Sequence, residues 1–242
     1  MKERLDDIGF GGYKLLQDPN KFCYGIDAVL LADFAKASKK DCIIDIGTGT
    51  GVIPLIIHHK SEAKRIVGIE KQEDSYNLAI QNANINNLTH EVEFKCMDVI
   101  DVRKHFKAGE FSLVVTNPPY TEKGRGPISP FDAKQVARHE TTAGISDFIE
   151  AAGYLLSPLG SFCIVHRPSR LIDILYCCRQ NKLEPKRLKF VAPKQGESPN
   201  IVLIQCVKNG GKELIVEPML FVREPNGEYT NEINEIYERE PK

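Results

Sequence analysis

The stretch "CIIDIGTGTGVIPLIIHHK", residues 42–60, decides the fold. Its first six residues form a continuous apolar run, the pattern of a strand buried on both faces of a sheet. The last nine read as a helix, because Pro54 is tolerated when it falls in a first helical turn. Between them, Gly47, Gly49 and Gly51 close the strand and open the helix. Glycines there let the backbone turn tightly and come close to a ligand. The spacing is G-x-G-x-G. A dinucleotide-type G-x-G-x-x-G would need glycine at position 52, where this chain has Val52.

Working outward, β and α patterns alternate. Strand-like runs occur at "RIVGIE" (65–70), "VEFKCMD" (92–98), "FSLVVTN" (111–117) and "GSFCIVH" (160–166). Two more, "PKRLKFVAP" and "NIVLIQCVK", are separated by "KQGESPN" with no helix between them, which predicts an antiparallel hairpin at one edge. Residues 73–88 read as a polar helix with Tyr76, Ile80 and Ala83 on one side. "ISDFIEAAGYLLS" places Ile145, Phe148, Ile149, Ala152 and Leu156 at helical spacing, and residues 170–181 read as another helix. Seven strands in this order predict an α/β fold, a Rossmann-like sheet wrapped by helices. Ahead of it, "GFGGYKLLQD" reads as a small hairpin and "DAVLLADFAKAS" as a helix. The expected division is an N-terminal lid segment over 1–36, a catalytic domain over 37–210 and a C-terminal extension over 211–242.

With 242 residues, 42% hydrophobic and 27% charged, the chain suits one soluble domain with a small appendage. No apolar run reaches the ~18 residues needed to span a membrane, and the charged start "MKERLDDIGF" lacks the apolar centre of a signal peptide, so a cytoplasmic location is expected. Seven cysteines without C-x-x-C, mostly inside apolar runs, read as buried thiols in a reducing compartment. The six histidines form no H-x-x-x-H, and no metal site is expected. His58 and His59 are read as neutralising the end of a helix. The sequence implies no particular oligomeric state.

Acids close three successive strands: Asp45, Glu70 and Asp98. Glu70 follows Gly47 by 23 residues, where a carboxylate can hold two ribose hydroxyls. The alternative is a glycine turn with capping acids. The G-x-G-x-G form resembles motif I of class I S-adenosylmethionine-dependent methyltransferases. That resemblance implies S-adenosylmethionine as cofactor, its methionine part cradled by the Gly47–Gly51 loop, its ribose on Glu70 and its adenine facing Asp98 and Val99. Asp45, Thr48 and Lys71 complete the expected cofactor site.

The strand at 111–117 ends in Asn117-Pro118-Pro119-Tyr120, and two prolines cannot continue a sheet ladder. The tetrapeptide resembles motif IV of methyltransferases that act on planar amino groups, and lies 66 residues after Gly51. The chemistry explains the residue types. An aromatic amine is a poor nucleophile, its lone pair delocalised into the ring. The Asn117 side-chain oxygen can accept one N–H and the Pro118 carbonyl the other. Two acceptors off the base plane favour a pyramidal nitrogen whose lone pair faces the methyl group, so charge is stabilised by geometry fixed in advance. Tyr120 can stack on the base. On this reading Asn117, Pro118 and Tyr120 are the catalytic residues, and Asn117 also borders the cofactor.

Adenine N6, guanine N2 and glutamine amides are all planar NH2 groups, and the motif alone does not choose among them. The segment after it, "TEKGRGPISPFDAKQVARHE", carries Lys123, Arg125 and Arg138, which suit phosphates; solvated surface charge is the alternative. Residues 167–194 hold eight Lys/Arg against two acids, whereas residues 213–242 hold eight acids against three Lys/Arg. The first segment could extend a surface for a polyanion. Across nearly the whole chain, "RLDDIGFGGYKLLQDPNKFCYGIDAVLLADFA", "DIGTGTGVIPL", "NPPY", "ARHE" and "PMLFVREPNGEYT" resemble the bacterial tRNA (valine) adenine-N6 methyltransferase family. The resemblance implies a tRNA partner, methylated on the adenosine directly 3′ of the anticodon and extruded from its stack. It also implies that Tyr24 and Asp27 help close the cofactor site, with Asp27 as a helix N-cap being the plainer reading. The rivals are guanine-N2 methylation of ribosomal RNA, glutamine methylation of a release factor, a dinucleotide-dependent oxidoreductase, and a catalytically silent RNA-binding module.

Overall fold

The computed structural model describes residues 4–18, 23–120 and 143–239. In chain order its elements are β1 (Arg4–Asp7), β2 (Lys14–Gln17), α1 (Ile26–Phe34), β3 (Cys42–Ile46), α2 (Val52–Ser61), β4 (Arg65–Glu70), α3 (Glu73–Ile85), β5 (Val92–Cys96), α4 (Val102–His105) and β6 (Phe111–Thr116). They continue with α5 (Ile145–Leu155), β7 (Leu156–His166), α6 (Leu171–Gln180), β8 (Leu183–Lys194), β9 (Ile201–Lys208), β10 (Ile215–Val216), β11 (Leu220–Arg223) and α7 (Asn231–Ile236). The seven expected strands form one sheet in the order β8-β9-β7-β6-β3-β4-β5. From β7 to β5 every neighbour is parallel, and β9 runs antiparallel to both β7 and β8. The predicted edge hairpin is therefore present. One addition was not foreseen: β10 and β11, from the C-terminal extension, pair with β8 and widen the sheet.

Residues alternate across the sheet, as the pleat requires. Ile43 and Val115 point into a core shared with α1 and α2, whereas Ile44 and Val114 point into a second core shared with α5 and α6. The strand order reverses between β3 and β6: from β3 the chain steps outward to β4 and β5, then returns to place β6 on β3's other side. In open α/β sheets a ligand crevice forms there, beyond the carboxyl ends of the strands. The glycine loop follows β3 and the Asn-Pro-Pro-Tyr segment follows β6, so topology brings them together. Register fixes how closely: Asp45 is opposite Val115. One residue on, the buried Thr116 hydroxyl donates to the Ile46 carbonyl at 2.7 Å, stapling the two strand ends.

The glycines of "GFGG" form the turn of the N-terminal hairpin, with Arg4 opposite Gln17 and Asp7 opposite Lys14. The α3 face differs from the expected one. Leu78, Ala79, Asn82 and Ala83 are buried, and Ile80 is 37% exposed. Asn82 turns inward because its amide binds backbone. It accepts from Leu16 N–H at 2.6 Å and donates to the carbonyls of Leu16 and Thr50, at 3.2 and 2.9 Å. Asn86, one turn on, does the same for Lys14, accepting its N–H at 2.8 Å and donating to its carbonyl at 2.7 Å. Two asparagines thus pin the hairpin to α3.

His58 and His59 do lie in the last turn of α2, each with a partner: Tyr13 Oη is 3.1 Å from His58 Nδ1, and Glu238 Oε2 is 2.7 Å from His59 Nε2. All seven cysteines are free. Cys163, Cys178 and Cys206 are buried, but Cys96, at the last position of β5, is exposed. No helix among the described residues is long and apolar enough to cross a membrane.

Candidate active site

The glycine loop is tied to the neighbouring strand. Gly47 and Thr48 both donate their N–H to the Ile69 carbonyl, at 2.9 Å each. Gly49 has φ +57°, and a Cβ there would meet nothing within 4 Å. The position therefore faces open space in a left-handed conformation that disfavours side chains. Its N–H donates to Glu70 Oε2 at 2.9 Å, and Gln72 N–H donates to Glu70 Oε1 at 2.8 Å. Each carboxylate oxygen keeps a lone pair for a ligand hydroxyl. Burial pushes the Glu70 carboxyl up, against the pull of these backbone donors.

Asp45 is fully buried, and neither carboxylate oxygen has a hydrogen-bond partner; the buried Thr48 hydroxyl is unpaired too. Burial pushes Asp45 up to about 7, against the pull of the neighbouring Thr48 hydroxyl and with the Glu70 charge adding to it. Buried polar atoms are nearly always paired, so three orphaned oxygens at the mouth of a glycine loop mark a place for a ligand's polar hydrogens. These acceptors fit the ammonium group at the amino-acid end of S-adenosylmethionine. Lys71 and Asp98 pair with each other at 2.7 Å, and Asp98 also accepts the Ile100 N–H at 3.3 Å. Val99 packs into the second core, so what it offers a ligand is backbone.

Across the crevice the side chains bind one another. Asn117 Nδ2 donates to Asp27 Oδ2 at 3.1 Å. Tyr120 Oη lies 2.7 Å from the same Asp27 oxygen and 3.0 Å from Asn117 Oδ1. Burial, then the Asp27 carboxylate, raises the Tyr120 phenol above its ordinary value. The expected stacking partner is thus held by its hydroxyl, and the expected amine acceptor already faces a donor. Asp27 is not the N-cap of α1; Gly25 is, and Asp27 sits in the first turn. The Tyr24 N–H bonds Gln17 Oε1 at 2.9 Å, with no bond to the Asn-Pro-Pro-Tyr segment among those described.

The end of β7 also reaches this cluster, which the sequence did not signal. The His166 ring lies 4.9 Å from that of Tyr120, and the Arg167 guanidinium stands 5.5 Å over the Tyr120 ring. His166 Nδ1 accepts the Arg167 N–H at 2.8 Å. Burial, and then the Arg170 charge, lowers His166 to about 4, so it is neutral at physiological pH.

Lys123, Arg125 and Arg138 lie outside the described residues, as does "ARHE". The cationic segment 167–194 is neutralised in part. Arg187 pairs with Glu217 at 2.6 Å and Lys189 with Glu232 at 2.6 Å, so part of the acidic C-terminal segment neutralises it. Arg170, Arg179 and Lys194 pair with Asp173, Glu184 and Glu197. An open cavity of about 500 Å³, lined by His58, Arg65, His90 and Glu93 among others, lies at the amino-terminal edge of β4 and β5, away from this crevice.

Comparison with known proteins agrees with this geometry. Residues 12–173 match the family model of the methyltransferase small domain. Among curated proteins, the chain is 25% identical over 224 residues to the tRNA1(Val) (adenine(37)-N6)-methyltransferase of Tolumonas auensis, covering 92% of this chain and 91% of that one. It is 30% identical over 186 residues to the protein of the same name from Porphyromonas gingivalis, covering 74% and 72%. Among solved structures, a predicted O-methyltransferase from Agrobacterium tumefaciens superposes with a TM-score of 0.71 at 18% identity, covering 88% of this chain and 95% of that one. YcgJ from Bacillus subtilis superposes with a TM-score of 0.56 at 13% identity, covering 78% and 100%. At these identities the structural likenesses speak for the fold.

Proposed function

Because the chain belongs to the methyltransferase small domain family, we propose that it transfers a methyl group from S-adenosylmethionine to the N6 amine of the tRNA adenosine directly 3′ of the anticodon. The observation that carries the reading is the crevice at the switch in strand order. It sets a glycine loop with orphaned buried oxygens beside an Asn-Pro-Pro-Tyr strand end. The names of the relatives support the choice of adenine N6 and tRNA.

S-adenosylmethionine supplies an electrophilic methyl group. Asp45 and Thr48 would take the polar hydrogens of its amino-acid end, the Gly47–Gly51 backbone would line it, and Glu70 would accept from its ribose hydroxyls. Asp98 with Val99, backed by Lys71, would border its adenine. On the substrate side, Asn117 Oδ1 and the Pro118 carbonyl accept the two N–H groups of the amine and hold its lone pair out of the ring plane. The proton released on methylation is acidic enough to leave without a strong base, which suits a cluster whose described histidine, His166, is neutral. Tyr120 packs on the extruded base, a contact worth roughly 1–3 kcal/mol. The basic residues Lys123, Arg125 and Arg138 are proposed to contact the RNA backbone.

The test is methyl transfer from radiolabelled S-adenosylmethionine to unmodified tRNA, ribosomal RNA and release factor in parallel, followed by nucleoside analysis. N6-methyladenosine in the tRNA is the expected product. Label only in ribosomal RNA or in protein would reject the substrate while keeping the chemistry. Cofactor binding with no label anywhere would favour an inactive RNA-binding module, and nicotinamide binding an oxidoreductase.

A further inference from the structure

Asp27 is 9% exposed, and its hydrogen-bond partners among the described residues are all neutral. They are the Asn117 amide, the Tyr120 hydroxyl and, at Oδ1, the Ala28 N–H at 3.0 Å. A carboxylate withdrawn from water usually meets a cation. The positive end of α1 offsets part of the cost, but α1 does not use Asp27 as its cap. The carboxylate therefore serves contacts 90 and 93 residues away in sequence, at Asn117 and Tyr120.

Those contacts have a directional consequence. An ionised carboxylate only accepts hydrogen bonds. It therefore forces the NH2 end of the Asn117 amide toward itself and turns Oδ1 the other way. At 3.0 Å from Oδ1 stands the Tyr120 hydroxyl, which has one proton for two acceptors. The charged oxygen at 2.7 Å is the stronger claimant on it. Asn117 Oδ1 is left short of a donor, and an exocyclic amine brings two.

We propose that Asp27 is a positioning residue for methyl transfer: it orients the Asn117 amide so that Oδ1 is presented to the substrate amine, and it anchors Tyr120 by its hydroxyl. This rests on the reading of Asn117 as the amine acceptor. One carboxylate, outside both sequence motifs, sets two motif side chains at once. Space for it is provided locally, since a Cβ on Gly25 would lie 2.7 Å from Asp27 Oδ1. Gly25→Ala, at an ordinary φ of −111°, would displace the carboxylate without removing its charge.

The experiment is a double-mutant cycle on the full chain. Single-turnover transfer to tRNA and calorimetric binding of S-adenosylmethionine are measured for the native protein, Asp27→Asn, Asn117→Ala and the pair. Asp27→Asn is expected to slow transfer about 100-fold, the scale of a misplaced reacting group, while cofactor affinity stays within about twofold. In the Asn117→Ala background the same change should cost less than about threefold, because residues acting through one another are not additive. Gly25→Ala should slow transfer in the same direction with cofactor binding kept, and decides the matter if Asp27→Asn does not fold. Native-like transfer by Asp27→Asn, parallel loss of cofactor binding, or multiplying effects of the two substitutions would overturn the proposal. Native-like transfer by Asn117→Ala would instead overturn the amine-acceptor reading on which it rests.

Discussion

The two sides of the crevice treat their buried polar atoms in opposite ways. At the end of β3, three buried oxygens of Asp45 and Thr48 have no partner within hydrogen-bonding geometry among the described residues. At the end of β6, Asn117 and Tyr120 are both held by Asp27. On the proposed function, the first side receives its missing hydrogens from the co-substrate, which arrives as S-adenosylmethionine and leaves as S-adenosylhomocysteine in each cycle. The second has its side chains fixed in advance by one carboxylate, which on the proposed function leaves the Asn117 amide oxygen to the substrate amine. Burial is common to both, so burial does not distinguish a cofactor cradle from a substrate gate; the state of the hydrogen bonds does.

The sharpest way to break this contrast is on the β6 side. Asn117→Ala should lower turnover by roughly 100- to 1,000-fold, the scale seen when a preorganised polar group is removed from a transition state, and leave cofactor affinity nearly unchanged. Equal loss of both, read by single-turnover kinetics and calorimetry, would place Asn117 on the cofactor side instead. Next in size is Asp45→Asn. It should weaken S-adenosylmethionine binding by about tenfold or more, as a lost charge-assisted pairing does, and at the same time stabilise the ligand-free protein. The sign follows from the carboxyl being raised to about 7 in the fold. Between its ordinary value and about 7 the folded protein binds more protons than the unfolded chain, so stability falls as pH rises through that window. Thermal melts of the ligand-free protein from pH 5 to 8 should show this slope, and Asp45→Asn should flatten it. A slope of the opposite sign would mean that Asp45 is paired.

Smaller effects refine the picture. Tyr120→Ala should raise the KM for tRNA about tenfold through lost stacking, with cofactor binding intact; an unchanged KM would remove the ring from the base pocket. Asn82→Ala should cost about 1–3 kcal/mol by stranding the backbone groups it serves. Limited proteolysis should then cut the N-terminal hairpin first, and protection equal to that of the native chain would show that the hairpin is held by other contacts.

Much of the fold was legible because it rests on local periodicity. Continuous apolar runs marked β3, β4 and β6, and the absence of a helical pattern between "PKRLKFVAP" and "NIVLIQCVK" marked the antiparallel edge. The glycine loop and the Asn-Pro-Pro-Tyr segment stand out for the same reason, since each packs its chemistry into a few adjacent residues. What stayed hidden depends on contacts between distant segments. Nothing in the local pattern of α1 says that Asp27 meets Asn117. The helical spacing of Tyr76, Ile80 and Ala83 outvoted Asn82, whose inward turn depends on backbone in β2. Nor does the sequence show that Arg187 and Lys189, within the cationic stretch 167–194, are met by Glu217 and Glu232 from later in the chain. The part of the site most suited to phosphates, around Lys123, Arg125 and Arg138, is proposed from sequence.

The most direct test of the central claim uses two transcripts of valine tRNA. One is native in sequence, and the other has guanosine in place of the adenosine 3′ of the anticodon. Each is incubated with the protein and labelled S-adenosylmethionine, then digested to nucleosides. Labelled N6-methyladenosine is expected from the first transcript and none from the second. Equal label in both, or label in neither, would contradict that claim.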